Sequence, residues 1–211
     1  MSCPLCSNSS TSLIGAPTTR EFYLCTCCDL LFLNPGQRIS QSDEKARYEK
    51  HNNDVNDPRY REFVTPLLEA ICAKISPGTS GLDFGAGTGP VLAEMLEARS
   101  YRIQRYDPLF WPNPRLLQFQ YDFVFASEVV EHFFTPGEEF RRLRGLLRPR
   151  GLLAIMTLLR SADTDLSRWH YLKDPTHVCA YSKSTFHWIA EKFSFAEPEF
   201  QGDRVILLAK R

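Results

Sequence analysis

One loop constrains the fold of this chain more than any other feature, the run DFGAGTGP at positions 83–90. Residues 82–84 are typical of a short buried strand, and residues 90–98 have the apolar spacing of a helix. Glycines between a strand and a helix let the backbone turn tightly and approach a ligand without an intervening Cβ atom. We therefore predict a ligand at this loop; a glycine-rich turn without a ligand is the alternative.

The rest of the chain repeats the alternation of strand and helix. One helix is expected to start after Asp57, a capping residue followed by Pro58, and Pro66 should kink or split it. Apolar patterning predicts further strands at 102–106, 121–126, 152–158 and 205–209, and helices at 137–147 and 184–193. Nearly continuous apolar strands are buried on both faces. The sequence thus predicts an α/β fold with a doubly wound, mostly parallel sheet.

The spacing after the glycine loop indicates which ligand binds. A dinucleotide fingerprint would place its third glycine at position 90, where this chain has proline, so the pattern is G-x-G-x-G. Asp107 comes after the loop and the helix that follows it, at the end of the second predicted strand. A carboxylate there can accept both hydroxyls of a ribose. An adenosine ligand that lacks a pyrophosphate fits these features, and S-adenosylmethionine (SAM) is such a ligand.

The cysteines are clustered, and five of the seven lie between Cys3 and Cys28. Four thiolates in two C-x2-C pairs, one at 3–6 and the other at 25–28, can wrap one Zn²⁺ in a closed, structural site. Cys27 is the surplus thiol and should point away from the metal. A coincidence of small buried residues is the alternative. We predict a small zinc ribbon whose ligands are Cys3, Cys6, Cys25 and Cys28.

Three segments together resemble class I SAM-dependent methyltransferases, in particular bacterial members with an N-terminal zinc ribbon. They are 81–89, the corner Tyr106-Asp107-Pro108 and the run Glu128-Val129-Val130-Glu131-His132. The resemblance implies a Rossmann-like sheet of seven strands, with SAM across the carboxyl ends of the first strands. It also implies transfer of the SAM methyl group to an O, N or C acceptor, which we expect to be a small molecule.

The resemblance also assigns individual cofactor contacts. Asp83 is expected near the SAM amino group and Asp107 on the ribose diol, with the loop glycines against the methionine and ribose. The full set of expected contacts is Tyr48, His51, Asp83, Gly85, Gly87, Gly89, Asp107, Pro108, Phe110, Glu128 and Glu131. One departure is that only the short connection 108–120 separates Asp107 from Tyr121, where the family often has a helix and a third strand. The adenine pocket is expected to differ accordingly.

The acceptor side is expected to involve the connector 161–178. It follows the predicted strand 152–158, so it emerges at the edge where ligands of such sheets bind, and long loops in compact domains are usually functional. We predict a lid that carries a base, because histidine titrates near neutral pH. A loop whose histidines only bond the backbone is the alternative. The candidate bases are His132, His170 and His177.

Composition limits the remaining functions. The formal net charge is zero and the pI is near 6.9, which argues against a broad nucleic-acid surface. The arginines at 141–150 alternate with apolar residues at helical spacing and are interpreted as a solvated face. The chain shows neither a secretion signal nor an apolar run that could cross a bilayer, so we expect a cytoplasmic protein without a membrane partner.

We predict three parts along the chain: a zinc ribbon at 1–36, a linker and helical cap at 37–78, and a SAM-binding methyltransferase domain at 79–211. Two rival functions stay open. One is a nucleic-acid-binding protein or RNA methyltransferase that uses the ribbon, and the other is a regulator that binds SAM without turnover.

Overall fold

The computed structural model describes residues 1–15, 19–49 and 54–211. In chain order its strands are β1 Thr11–Ile14, β2 Phe22–Cys25, β3 Leu31–Leu33, β4 Ser80–Phe84, β5 Arg102–Tyr106, β6 Tyr121–Ser127, β7 Leu147–Met156, β8 Cys179–Ala180, β9 Glu199–Gln201 and β10 Val205–Ala209. Its α-helices are α1 Gln41–Tyr48, α2 Pro58–Lys74, α3 Val91–Glu97, α4 Pro136–Gly145 and α5 Lys183–Lys192. Within these ranges no helix combines the length and the apolar character needed to cross a membrane.

The main sheet has the order β5-β4-β6-β7-β10-β9. The strands β5, β4, β6 and β7 are parallel, whereas β10 pairs antiparallel with β7 and β9 pairs antiparallel with β10. The predicted Rossmann-like α/β arrangement is thereby confirmed. The chain order reverses at β4, which has β5 on one side and β6 on the other. At such a point a crevice for ligands opens beyond the carboxyl ends of the strands.

The main sheet contains six strands in the described part of the chain, and the seven implied by the resemblance are not found there. The further strand would follow β5, where residues 108–120 make the connection to β6. A crossover between parallel strands already needs about a dozen residues or more, so this connection is too short to supply a strand as well. It forms a 3-10 turn at Pro114–Gln118 instead.

The helix α2 starts as the sequence predicts, since Asp57 accepts a hydrogen bond from the backbone N–H of Arg59 at 2.9 Å. It continues through Pro66, so of the kink or split expected at this residue the split does not occur. Pro66 lies on the exposed side of the helix, where water can solvate the carbonyl that its missing N–H leaves unbonded. The opposite side packs α2 against α3 and the main sheet through Leu67, Ile71 and their buried neighbours.

A second, antiparallel sheet lies at the N-terminus in the order β1-β2-β3-β8. Its fourth strand, β8, follows the connector 161–178 and comes from far along the chain. The residues 30–33 are buried and share one apolar core with β4, β6 and β7. The N-terminal sheet is therefore packed onto the main fold, while the division of the chain at residues 36 and 78 stays a prediction.

Asp29, just before β3, connects the N-terminal sheet to the start of α5. It has a left-handed backbone with φ 58°, a conformation that is uncommon for residues other than glycine. Its carboxylate accepts a hydrogen bond from the hydroxyl of Ser182, the residue that caps α5, and pairs with Arg160 at 2.7 Å. The side chain thus makes contacts that a glycine could not make.

Candidate active site

A cavity of about 710 Å³ opens at the carboxyl ends of β4, β5 and β6. The glycine loop and the turn after β5 form one side of it. The start of the turn after β6 and the end of the connector 161–178 form the other. Most of the residues that the sequence predicts as cofactor contacts or bases line this cavity. They are Tyr48, Asp83, Gly85, Gly87, Gly89, Asp107, Pro108, Phe110, Glu128, His132 and His177.

Two glycines of the loop have left-handed backbones, Gly85 with φ 86° and Gly87 with φ 59°. At Gly85 a Cβ would lie 2.6 Å from the side chain of Val129, so a side chain there has no room. At Gly87 a Cβ would meet no atom within 4 Å, and the residue lines the cavity. A side chain at Gly87 would therefore project into space that a ligand can occupy.

Asp107 is nearly buried and connects the glycine loop to the turn after β5. Its Oδ1 accepts backbone N–H groups of Leu109 and Phe110 at 2.8 and 3.0 Å, and its Oδ2 accepts the N–H of Gly87 at 3.1 Å. The indole N–H of Trp111 donates to the carbonyl of Gly87 at 2.8 Å. Each carboxylate oxygen can accept more than one hydrogen bond, so a ribose diol can still be accommodated.

Two carboxyl groups that line the cavity, the buried Asp83 and the half-buried Glu128, have strongly raised pKa values. Burial raises the pKa of Asp83 to about 8, Arg105 opposes this rise and Asp107 adds to it. Burial and the neighbouring charge of Glu131 raise the pKa of Glu128 to about 9. A buried carboxyl group in this state gains from a cationic ligand, which would stabilise its ionised form.

The histidines His132 and His177 lie side by side, with ring centroids 5.0 Å apart. The Nδ1 atom of His132 bonds the carbonyl of Thr176 at 3.0 Å, and the Nδ1 atom of His177 bonds the carbonyl of Tyr171 at 2.8 Å. A carbonyl only accepts, so Nδ1 carries a proton in both rings, and in the neutral form of each imidazole the lone pair is then on Nε2. Burial lowers the pKa of His177, which favours this neutral form.

Tyr48 packs its ring edge-on against His132, with centroids 5.5 Å apart, and its hydroxyl donates to Glu44 at 2.8 Å. The helix α1 thereby covers the cavity beside the two histidines. His51, the other residue expected in this cap, lies outside the described residues.

Two expected site residues do not face the cavity. Glu131 is fully buried in the 3-10 turn after β6, where it accepts the hydroxyl of Tyr171 at 2.7 Å and that of Thr157 at 3.1 Å. It can affect a ligand only through its neighbours, because its carboxylate is committed inside the protein. His170 is exposed and outside the cavity lining, so its position does not suit a base.

Two clusters have the residue types of metal sites. The sulfur atoms of the four predicted zinc ligands lie within 4.8 Å of one another, and the pairs Cys3–Cys28 and Cys6–Cys25 are 3.5 Å apart. Sulfur atoms about 2.3 Å from a tetrahedral zinc ion are about 3.8 Å apart, so the cluster matches such a site. Cys27 is exposed. The second cluster, Glu131, His132 and His177, also places one ligand atom from each residue within 4.8 Å.

Sequence reasoning missed several cavity residues. Tyr60 and Phe63 reach it from α2, and Glu44 reaches it from α1. Arg142 also lines the cavity, paired at 2.7 Å with Glu139, although the sequence indicated only a solvated arginine face. The helical spacing of α2 was a usable signal for its inner face, but no local pattern marks Glu44 or Arg142.

Solved structures share this fold at low sequence identity. A 1,6-didemethyltoxoflavin-N1-methyltransferase of Burkholderia thailandensis, solved with 1,6-didemethyltoxoflavin and S-adenosylhomocysteine, matches 94% of this chain and 99% of its own at 14% identity and TM-score 0.56. An O-methyltransferase family protein of the same organism matches 80% of this chain at 14% identity and TM-score 0.56, and this chain covers 62% of it.

The magnesium protoporphyrin IX methyltransferase of Synechocystis PCC 6803, solved with S-adenosylhomocysteine, matches 82% of this chain and 95% of its own at 15% identity and TM-score 0.52. At such identities the likeness concerns the fold. No curated protein sequence matches the chain. Residues 56–196, more than half of the sequence, match the family described as "Methyltransferase domain". The chain therefore belongs to this methyltransferase family.

Proposed function

We propose that the protein transfers the methyl group of SAM to a small-molecule O, N or C acceptor in the 710 Å³ cavity. The observation that carries the proposal is the composition of this one cavity. A glycine loop and two aspartates line its cofactor side, and two histidines with Nε2 lone pairs line the other. A cavity of this size suits a cofactor together with a small substrate.

The residues present fit SAM. Asp83, a buried carboxyl group with a raised pKa, suits the cationic amino group, and Asp107 suits the ribose hydroxyls. Gly87 leaves room for the ligand backbone, and Pro108 and Phe110 offer walls for the adenine. When bound, SAM supplies an activated methyl group. The chain contributes orientation of the acceptor and, where the acceptor must lose a proton, a base.

His177 and His132 are the proposed bases. Both rings are fixed by backbone carbonyls, so each Nε2 is available as a proton acceptor. We favour this role over a metal site at Glu131, His132 and His177, because both histidines line the cavity, whereas Glu131 is fully buried outside its lining. The four N-terminal cysteines are proposed to hold one structural Zn²⁺.

The experiment is transfer of label from [methyl-¹⁴C]SAM to a cell extract separated by size into metabolites and macromolecules. We expect enzyme-dependent label in the metabolite fraction, and its loss with Gly87→Val, which fills the ligand space. Label confined to RNA or protein would contradict a small-molecule acceptor. Binding of SAM without any transfer, across extracts from several growth conditions, would favour the regulator over the enzyme.

A further inference from the structure

Arg20, just before β2 in the N-terminal sheet, contacts a segment from much further along the chain. Its NH1 donates to the carbonyl of Asp174 at 2.7 Å, and its NH2 donates to the carbonyl of His177 at 2.8 Å. The same two nitrogens also reach the carbonyls of Leu172 at 3.3 Å and Pro175 at 3.1 Å. One guanidinium group therefore engages four carbonyls of the segment 172–177.

This segment supports both candidate bases. It contains His177, and the carbonyl of Thr176 holds the Nδ1 atom of His132. The carboxylate of Asp174 folds the segment internally, since it accepts the N–H and the hydroxyl of Thr176 at 2.9 and 2.6 Å. Arg47 of α1 donates to both oxygens of this carboxylate, at 3.1 and 2.7 Å. A shift of the segment would therefore move both imidazole rings.

Arg20 also contacts the N-terminal sheet, through Phe22 of β2. Its guanidinium lies 5.2 Å from the ring centroid of Phe22, and Phe22 is fully buried in β2. The strand β2 ends at Cys25, one of the four clustered cysteines. The backbone N–H of Leu33 in β3 donates to the carbonyl of Val178 at 2.8 Å, directly after the segment. The ribbon and the histidine-bearing segment are thus one connected structure.

We infer that Arg20 is a positioning residue, through which the cysteine-bearing N-terminal sheet sets the placement of His132 and His177. The inference rests on the proposed function for the role of these histidines, but the placement itself can be measured without an acceptor. Arginine suits the task because its planar fork presents five donors, whereas lysine offers one compact ammonium group. The N-terminal module would then serve the reaction and not only the stability of the fold.

The test measures the placement by histidine NMR. His177 faces Glu131, His132, Asp174 and the ring of Tyr171, and burial lowers its pKa from the ordinary value. The sequence has five histidines, so variants His177→Gln and His132→Gln assign the two signals. In Arg20→Ala we expect the pKa of His177 to rise toward its ordinary value, because the loosened segment admits water. We also expect hydrogen exchange of the amides 176–178 to accelerate by about tenfold or more.

Two further variants keep the test interpretable. Arg20→Lys preserves the charge, and we expect its His177 pKa and its amide exchange to lie between those of the wild type and Arg20→Ala. The lysine variant can also replace Arg20→Ala in the test if the alanine variant folds poorly. Arg38→Ala removes another N-terminal arginine, one that bonds the carbonyl of Phe134 and not the segment, and should leave His177 unchanged.

Wild-type behaviour of His177 and of the amides 176–178 in folded Arg20→Ala or in Arg20→Lys would overturn the inference. Titration with S-adenosylhomocysteine is a separate readout, and we expect Arg20→Ala to change its affinity by less than about threefold, because Arg20 is not in the cavity lining. A wild-type protein that does not bind S-adenosylhomocysteine would contradict the proposed function and leave the result on Arg20 standing.

Discussion

The substitution Asp83→Asn tests the electrostatics of the cofactor side. The carboxyl group of Asp83 is only 5% exposed, and its pKa rises from 3.8 to about 8 on folding. Between pH 3.8 and about 8, the folded protein therefore keeps a proton on Asp83 that the unfolded chain has released. This contribution to stability is complete below pH 4 and is lost as the pH rises through 8. In this window the free energy of unfolding falls by about 1.4 kcal/mol for each pH unit.

Asparagine has the shape of aspartic acid and no charge to lose. We expect Asp83→Asn to be more stable than the wild type in the absence of ligand. The difference in unfolding free energy should widen by roughly 2–3 kcal/mol from pH 6 to pH 8. Glu128, whose pKa is also raised, adds a similar pH dependence to both proteins, so the difference isolates Asp83. Urea denaturation of both proteins at pH 6, 7 and 8 measures it.

Ligand binding should reverse the advantage of the variant. The ammonium group of S-adenosylhomocysteine stabilises the ionised carboxylate, so binding below pH 8 should release a proton in the wild type and not in Asp83→Asn. Calorimetry in two buffers of different ionisation enthalpy detects this proton. A stability difference that is constant between pH 6 and pH 8 would show that burial does not raise the pKa of Asp83. Equal proton release in both proteins would refute the placement of the amino group.

Two further predictions concern the metal and the bases. Purified protein should carry about one zinc per chain, and Cys6→Ser should lose it while Cys27→Ser, its exposed counterpart, should keep it; elemental analysis of freshly reduced protein that finds no zinc would contradict the ribbon. Once an acceptor is known, His177→Ala or His132→Ala should cut turnover by roughly 10²-fold for whichever residue is the base, while SAM affinity stays within about threefold. Replacement of the exposed His170 should leave turnover unchanged. Full turnover in the double variant of His132 and His177 would exclude both as bases.

Local pattern sufficed for the elements whose signals lie close together in sequence. The strands β5 and β10 start and end where apolar patterning predicts, at 102–106 and 205–209. The capping of α2 by Asp57 was predictable because the acceptor and the donor are close neighbours along the chain. The glycine loop and Asp107 meet because both follow neighbouring parallel strands. Such features need only chain periodicity and the rule that parallel strands end at one edge.

Features that depend on contacts between distant parts of the chain could not be predicted from the sequence. The run 128–132 marks the ligand edge, but its 3-10 turn directs Glu131 inward while Glu128 faces the cavity. Tyr171, the partner that makes this burial possible, is distant from Glu131 in sequence. Arg20 lies in no recognisable motif, and its acceptors are backbone carbonyls, which every residue has, so the sequence does not mark them. Strand β8 is very short and pairs only because β3 is adjacent in space.

The proposed function depends on binding of SAM at the edge formed by β4, β5 and β6. Calorimetric titration of S-adenosylhomocysteine into the wild type and two aspartate variants measures this binding. Asp107→Ala removes the carboxylate at the cavity, whereas Asp122→Ala removes one at the opposite end of the same sheet, where it bonds Ser80 and Arg148.

We predict one site per chain, and an affinity that falls by about tenfold to a hundredfold in Asp107→Ala through loss of a charge-assisted contact of roughly 1.5–3 kcal/mol. The affinity of Asp122→Ala should match the wild type. No binding to the wild type, or an unchanged affinity in a folded Asp107→Ala, would contradict binding of SAM at this edge of the sheet.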